Sequence, residues 1–303
     1  MFAVVYYLIL IPVSLLPNRL QYFLSDLIYL IIRYIVPYRR KIVLDNIRRS
    51  FPEKSEQEVN KIANQFYAHF CDLIIESIDL FTITEKQIRQ RFQAGDIEAL
   101  NTLYEKNKSV VFASGHYNNW EIAATAIPLL LKHKVDGLYA PLSNKFLDQK
   151  FLKSRQHFGL KMFPKKQVKA MFESHKGQPT VSGFGADQCP PYHTRQAYFT
   201  KFLNQDTPVM FGTEKYAKEY DHAVCYMHVR KLKRGHYIFD AELICEDAQA
   251  TPYGEITEKH TRMLEKDILA NPQYWLWTHK RWKLTRERVE ENARQYEAEQ
   301  QAS

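Results

Sequence analysis

Cysteine is scarce in this chain and badly placed for cross-linking. Cys71, Cys189, Cys225 and Cys245 lie far apart among 303 residues and form neither a C-x-x-C pair nor a zinc-finger spacing. A disulfide framework or structural metal site therefore has little support, and reduced thiols acting as small apolar core groups are expected. No fixed-period repeat or low-complexity segment is visible, which argues against a solenoid. Several catalytic signatures are also missing: H-E-x-x-H, G-x-S-x-G and the P-loop do not occur, and Gly183-Phe184-Gly185 lacks the third glycine of a dinucleotide fingerprint.

What remains is the composition of a globular protein. Apolar residues make up 45%, enough to bury the core of one large domain or two small ones. The formal charge of +8 favours anionic partners without choosing among nucleic acid, anionic lipid and an acidic protein. Nucleic-acid binding would rest on that charge alone, with no recognisable module beside it, and is not expected.

The N-terminus has no charged side chain before Arg19, and its apolar run sits at the lower edge of the roughly 17 to 25 residues that span a bilayer. A second apolar run, Leu20 to Val36, is interrupted only by Asp26 and Arg33. Together they predict a membrane anchor over residues 1–36, either a span or an interfacial hairpin. It lacks the basic start and small-residue cleavage site of a secretory signal. Arg33, Arg39, Arg40, Lys41, Arg48 and Arg49 follow, a cluster that the positive-inside rule places in the cytoplasm beside anionic headgroups.

Residues 55–80 open with Ser55 and Glu58 and continue with apolar groups at helical spacing, which predicts a long amphipathic helix. Beyond it, short β-rich runs at 109–113, 135–139, 160–163, 180–183, 223–229 and 237–244 alternate with helical patterns at 120–131, 144–158 and 167–175. This alternation predicts an α/β domain over residues 37–285, a mixed sheet flanked by helices. Residues 286–303, rich in Glu, Arg and Gln, read as a solvated charged tail.

With 34 acids and 11 histidines, a His followed five residues later by an acid arises by chance roughly once. Two such pairs occur. His260 and Glu265 lie inside a helical pattern, where five steps of about 100° point the side chains apart. His116 and Glu121 stand at an apolar strand, a glycine turn and a helix start, so the loop can fold the ring over the first helical turn. A neutral imidazole held by a carboxylate suits acyl transfer to a hydroxyl, His116 taking the proton and Glu121 fixing its tautomer, with no enzyme nucleophile, metal or cofactor.

In the context Gly115-His116-Tyr117-Asn118-Asn119-Trp120-Glu121 the pair resembles the lysophospholipid acyltransferase superfamily, and within it the lipid A biosynthesis (late Kdo-lipid A) acyltransferases. The resemblance continues through Asn46 to Pro52, Tyr139 to Asn144, Leu147-Asp148, Asp187-Gln188 and Tyr274 to Lys283. Asn118 stands where the family has glycine, and Ala140 where it has arginine. The resemblance implies a glycerolipid-acyltransferase-like fold and an acyl donor carried on acyl carrier protein. It further implies a phosphorylated lipid A precursor as acceptor at the cytoplasmic side of an anionic inner membrane. Asn119, Trp120, Arg155, Asp187 and Gln188 become the substrate-binding candidates, Arg155 or Lys145 taking the phosphate contact that Ala140 cannot make. The alternatives are a lysophospholipid, glycolipid or aminolipid acceptor, or a peripheral lipid-binding module without catalysis.

Overall fold

The computed structural model describes residues 2–175 and 177–302. Met1, at the start of the expected anchor, and Ser303, at the end of the expected tail, lie outside the described residues. The chain begins with short helices α1 (Phe2–Val5) and α2 (Ile11–Ser14), joined by a π-helical turn, and then α3 (Asn18–Tyr34), α4 (Arg40–Ser50), α5 (Glu56–Asp79) and α6 (Glu85–Arg91). Next come β1 (Phe92–Ala94), α7 (Glu98–Glu105), β2 (Val110–Ser114), α8 (Trp120–Ala126), β3 (Lys134–Tyr139), α9 (Lys145–Arg155), β4 (Lys161–Pro164) and α10 (Val168–Phe172). The remainder is β5 (Thr180–Gly185), β6 (Tyr198–Phe202), β7 (Gln205–Val209), α11 (Gly212–Glu219), β8 (Ala223–Lys233), β9 (His236–Cys245), α12 (Glu255–Ala270) and α13 (Arg286–Ala302).

Seven strands form a mixed sheet in the order β1-β9-β8-β2-β5-β3-β4, in which only β8 and β9 pair antiparallel. Burial on both faces explains the unbroken apolar run on the central strand. Val110 and Phe112 of β2 pack towards Ile122, Ala123 and Ala126 of α8, while Val111 and Ala113 point the other way, towards α5, α11 and α12. All six expected strands are present within a few residues. Helix α5 starts with a complete capping box between Ser55 and Glu58. The helix expected to reach residue 131 leaves the α form after Ala126, because Pro128 has no N–H for the next turn and a 3₁₀ turn, Ile127–Leu129, takes over.

Among the described residues no helix is long and apolar enough to cross a membrane. The described part of the expected anchor, residues 2–36, forms a bent set of helices with two unlike faces. Gln21, Tyr22 and Ser25 on α3 turn inward and donate to Asp79 (2.8 Å), Glu76 (2.9 Å) and Asp72 (2.8 Å) on α5. Leu20, Phe23, Leu27, Leu30, Ile31 and Tyr34 are exposed on the opposite side of α3, continued by Leu8, Ile9 and Leu15. At the other terminus, Val289 and Asn292 of α13 are buried, and Asn292 Nδ2 donates to the carbonyls of Tyr192 (2.8 Å) and Thr194 (3.0 Å). That helix is docked at its start and exposed beyond it.

Glu76 joins the N-terminal helices to the rest of the protein. Its carboxylate is fully buried and accepts from Tyr22 Oη (2.9 Å), Tyr237 Oη (2.8 Å) and the Asn119 amide, with Arg91 Nη2 at 3.8 Å. Removing the shared acceptor leaves several buried donors unmatched. Glu76→Ala is therefore expected to cost about 3 kcal/mol or more, read as a lowered midpoint in denaturant unfolding of the full chain in detergent.

Candidate active site

The loop between β2 and α8 is fastened on every side. Gly115 opens it, because a side chain there would press against Leu264 of α12, with a Cβ at 2.8 Å from Leu264 Cδ1. His116 donates its backbone N–H to Asp187 Oδ2 (2.9 Å) and accepts from Leu276 N (3.1 Å) at its carbonyl. Tyr117 bridges to Trp275. Asn118 has φ +53°, donates its N–H to the Tyr274 carbonyl (2.9 Å) and its side-chain amide to the Val229 carbonyl (2.8 Å). The left-handed backbone accounts for the departure from glycine here, since asparagine is among the few other residues that adopt it readily.

The partner of the His116 ring is not the expected one. Nδ1 lies 2.7 Å from Asp187 Oδ1, while Glu121 makes a two-pronged ion pair with Arg155, with Nε to Oε2 and Nη2 to Oε1 both at 2.8 Å. The expectation that Glu121 orients His116 by direct contact is thus corrected. The first turn of α8 aims Glu121 at the end of α9, and the carboxylate that reaches the ring comes from the loop after β5, 71 residues away. Glu121 still acts on His116 through its charge. Arg155, expected to meet a phosphate, is spent on Glu121; Lys145 is exposed at the start of α9 and does not line the cavity described below.

Asp187 collects a third donor, Trp275 Nε1 at 2.9 Å. Burial alone would push its carboxyl up, but His116 and the three hydrogen bonds outweigh this and hold it well below the usual carboxylate range. For His116, burial works against the charged ring; the Asp187 carboxylate prevails, helped by Glu121 and opposed by Lys165, so the pKa is raised. Gln188 Nε2 stands 3.2 Å from His116 Nε2. Trp120 meets the ring edge-on, with centroids 5.1 Å apart. Asn119, expected at the substrate, faces inward: Oδ1 caps α8 by accepting from Ile122 N (2.9 Å) and Nδ2 serves Glu76.

His116, Trp120, Glu121, Arg155 and Gln188 line a cavity of about 620 Å³ whose other walls include Phe184, Phe211 and Tyr216. A narrower cavity of about 170 Å³ leads from the same histidine between α8 and the sheet. Its space comes from Gly137 on β3 and Gly183 on β5, which stand opposite one another in the strand register. No cluster of three or more His, Cys, Asp or Glu able to hold a metal occurs among the described residues. The second His-x4-acid pair does not meet: Glu265 accepts from Leu203 N (2.6 Å) and pairs with Arg262, whereas His260 Nε2 is buried elsewhere.

Two sequence blocks that carry the family resemblance have structural work. Trp275, which sequence reasoning did not place at the site, belongs to the aromatic run 274–283 that frames the loop. Asn46 donates to the carbonyls of Trp277 and His279, both at 2.9 Å, and so holds that run. The sequence signalled this run by its resemblance to the family and by the density of tryptophan among basic residues, neither of which assigns Trp275 a partner.

A bacterial lipid A biosynthesis acyltransferase family model matches residues 1–284. The chain is 20% identical over 271 residues to a lipid A biosynthesis palmitoleoyltransferase of Escherichia coli (strain K12), covering 88% of this chain and 86% of that one. A lipid A biosynthesis acyltransferase of Shigella flexneri matches to the same extent. Another, of Haemophilus influenzae, is 21% identical over 210 residues, covering 69% of this chain and 65% of its own length. With a model spanning nearly the whole chain around a histidine set in an apolar cavity, this protein belongs to the bacterial lipid A biosynthesis acyltransferase family and is an acyltransferase.

Proposed function

We propose that the protein transfers a fatty acyl group from an acyl carrier protein thioester to a hydroxyl of a lipid A precursor, with His116 as general base. The observation that carries this reading is the division of the ring: Nδ1 is fixed on a buried carboxylate, which leaves Nε2 on the wall of the large cavity. Nε2 takes the hydroxyl proton as the oxygen attacks the thioester carbonyl. The imidazolium, stabilised by Asp187, returns that proton to the departing thiolate. Gln188, beside Nε2, holds the hydroxyl, and the Glu121–Arg155 pair forms the polar wall next to it. The relatives' names support lipid A precursors as acceptors.

The narrow cavity receives the far end of the donor's acyl chain, since its lining is mainly apolar and it opens at His116. The outer face of α1 to α3 lies in the membrane interface without crossing it, its exposed leucines, isoleucines and tyrosines entering the lipid. On this reading the enzyme works at the cytoplasmic surface of the inner membrane, and its formal charge of +8 supports attraction to both a phosphorylated lipid and an acidic carrier protein.

His116→Ala is expected to lower transfer on the order of 10³-fold or more in an assay with acyl carrier protein thioester and lipid acceptor. Because Asp187 raises the His116 pKa, the base is free only above that value, and activity falls as pH drops through it. Asp187→Asn should lose comparable activity and move the acidic limb of kcat/KM to lower pH; an unmoved limb would remove Asp187 from the mechanism. Glu121→Ala and Arg155→Ala each break one shared ion pair, so the double variant should be no worse than the poorer single one. A Cβ at Gly183 meets only Asp136 O, at 3.6 Å, so Gly183→Ala fits the strand yet narrows the slot. Mass spectrometry of its products is expected to show shorter chains with transfer retained.

A further inference from the structure

Arg281 is one of the largest side chains in the protein to be fully enclosed, only 2% exposed. Its Nη2 donates to the Pro208 carbonyl (2.7 Å), and its Nε and Nη1 have no partner among the described residues. Isolating a guanidinium in this way is costly unless a charge answers it. Arg281 lines a small cavity together with Asp187, Ser114, Tyr226 and His260. That cavity shares Ala186 and Val209 with the large cavity at His116, to whose lining Asp187 and Arg281 do not contribute.

We propose that Arg281 is a positioning residue for His116: it is the counter-charge of Asp187, and it keeps the His116 ring from holding a proton too tightly to act as a base. The inference rests on the reading of His116 as general base.

The charges around the ring show why one is needed. Asp187, on the loop after β5, and Glu121, on α8, both favour the protonated ring. Opposing them is Lys165, at the turn after β4. His279, on the segment before α13, faces the ring as a neutral imidazole, its pKa brought down to about 4 by burial. On the other side, His260 of α12 is also neutral for the same reason, at about 4, so it adds no charge to the cavity. The titratable groups acting on Arg281 are Asp187 and the Cys189 thiol. Burial brings the guanidinium down to about 10 while Asp187 holds it up, so it stays charged throughout the physiological range. A cation held near a carboxylate weakens that carboxylate's pull on a histidine's proton.

The test compares variants that remove the charge with one that keeps it. Arg281→Gln and Arg281→Met lose the cation, the first retaining a donor for Pro208; Arg281→Lys retains the charge. Ring resonances of His116 would be titrated by NMR in the full chain in detergent, and kcat/KM measured against pH. In Gln or Met, the His116 midpoint and the acidic limb should rise together by about one unit, so that activity lost at neutral pH returns at alkaline pH. In Lys the midpoint should stay where it is. An unchanged midpoint in the charge-free variants, or an equal rise in Lys, overturns the proposal. A midpoint that rises in the charge-free variants while the unsubstituted protein transfers no acyl group would sustain the coupling and refute the catalytic reading.

Discussion

A single buried carboxylate organises the site. Asp187 draws together the ring and backbone of His116 and the indole of Trp275, three donors from two segments that lie far apart in the chain. The loop after β2 and the run before α13 are thereby locked to one point, and the remaining contacts of both segments follow from it. Such an acceptor costs free energy to bury and returns it only while all its donors are in place. Geometry and electrostatics are therefore inseparable here: the contacts that place the ring also set its affinity for a proton.

Much of the fold was legible in the sequence because parallel strands covered on both faces must be apolar along their whole length. The run Val110 to Ala113 and the capping residues of α5 announce themselves in this way. What escaped notice had no such signature. Strand β1 is three residues long, and the β6–β7 hairpin turns on Leu203 and Asn204, both at positive φ, without the glycine that marks such turns. At the site, spacing drew attention to His116 because it sits at a strand end. It misassigned the carboxylate, because a five-residue interval reports only on what is near along the chain. Asp187 stood out by resemblance, but nothing local could say that it, and not Glu121, would touch the ring.

The N-terminal helices illustrate a second limit. An uncharged run near 18 residues reads as a span when only hydropathy is counted. The inward Gln21, Tyr22 and Ser25 matter more than their number, since each meets a carboxylate on α5 and ties its helix to the protein surface. A helix with such commitments on one side leaves only the other exposed. Through Glu76 and Asn119 the same ties reach the cap of α8, so the element with the exposed apolar face and the element that carries Trp120 share a buried acceptor.

The opposed glycines of β3 and β5 carry a structural consequence. Strand pairing depends on backbone groups alone, so a side chain can be added at position 183 without disturbing the ladder that holds the sheet, whereas one at 137 would press on Met162 Sδ at 3.2 Å. The depth of the slot is thus separable from the stability of the fold and from the histidine at its mouth. A substitution at position 183 can therefore reshape the slot while the rest of the domain stands still.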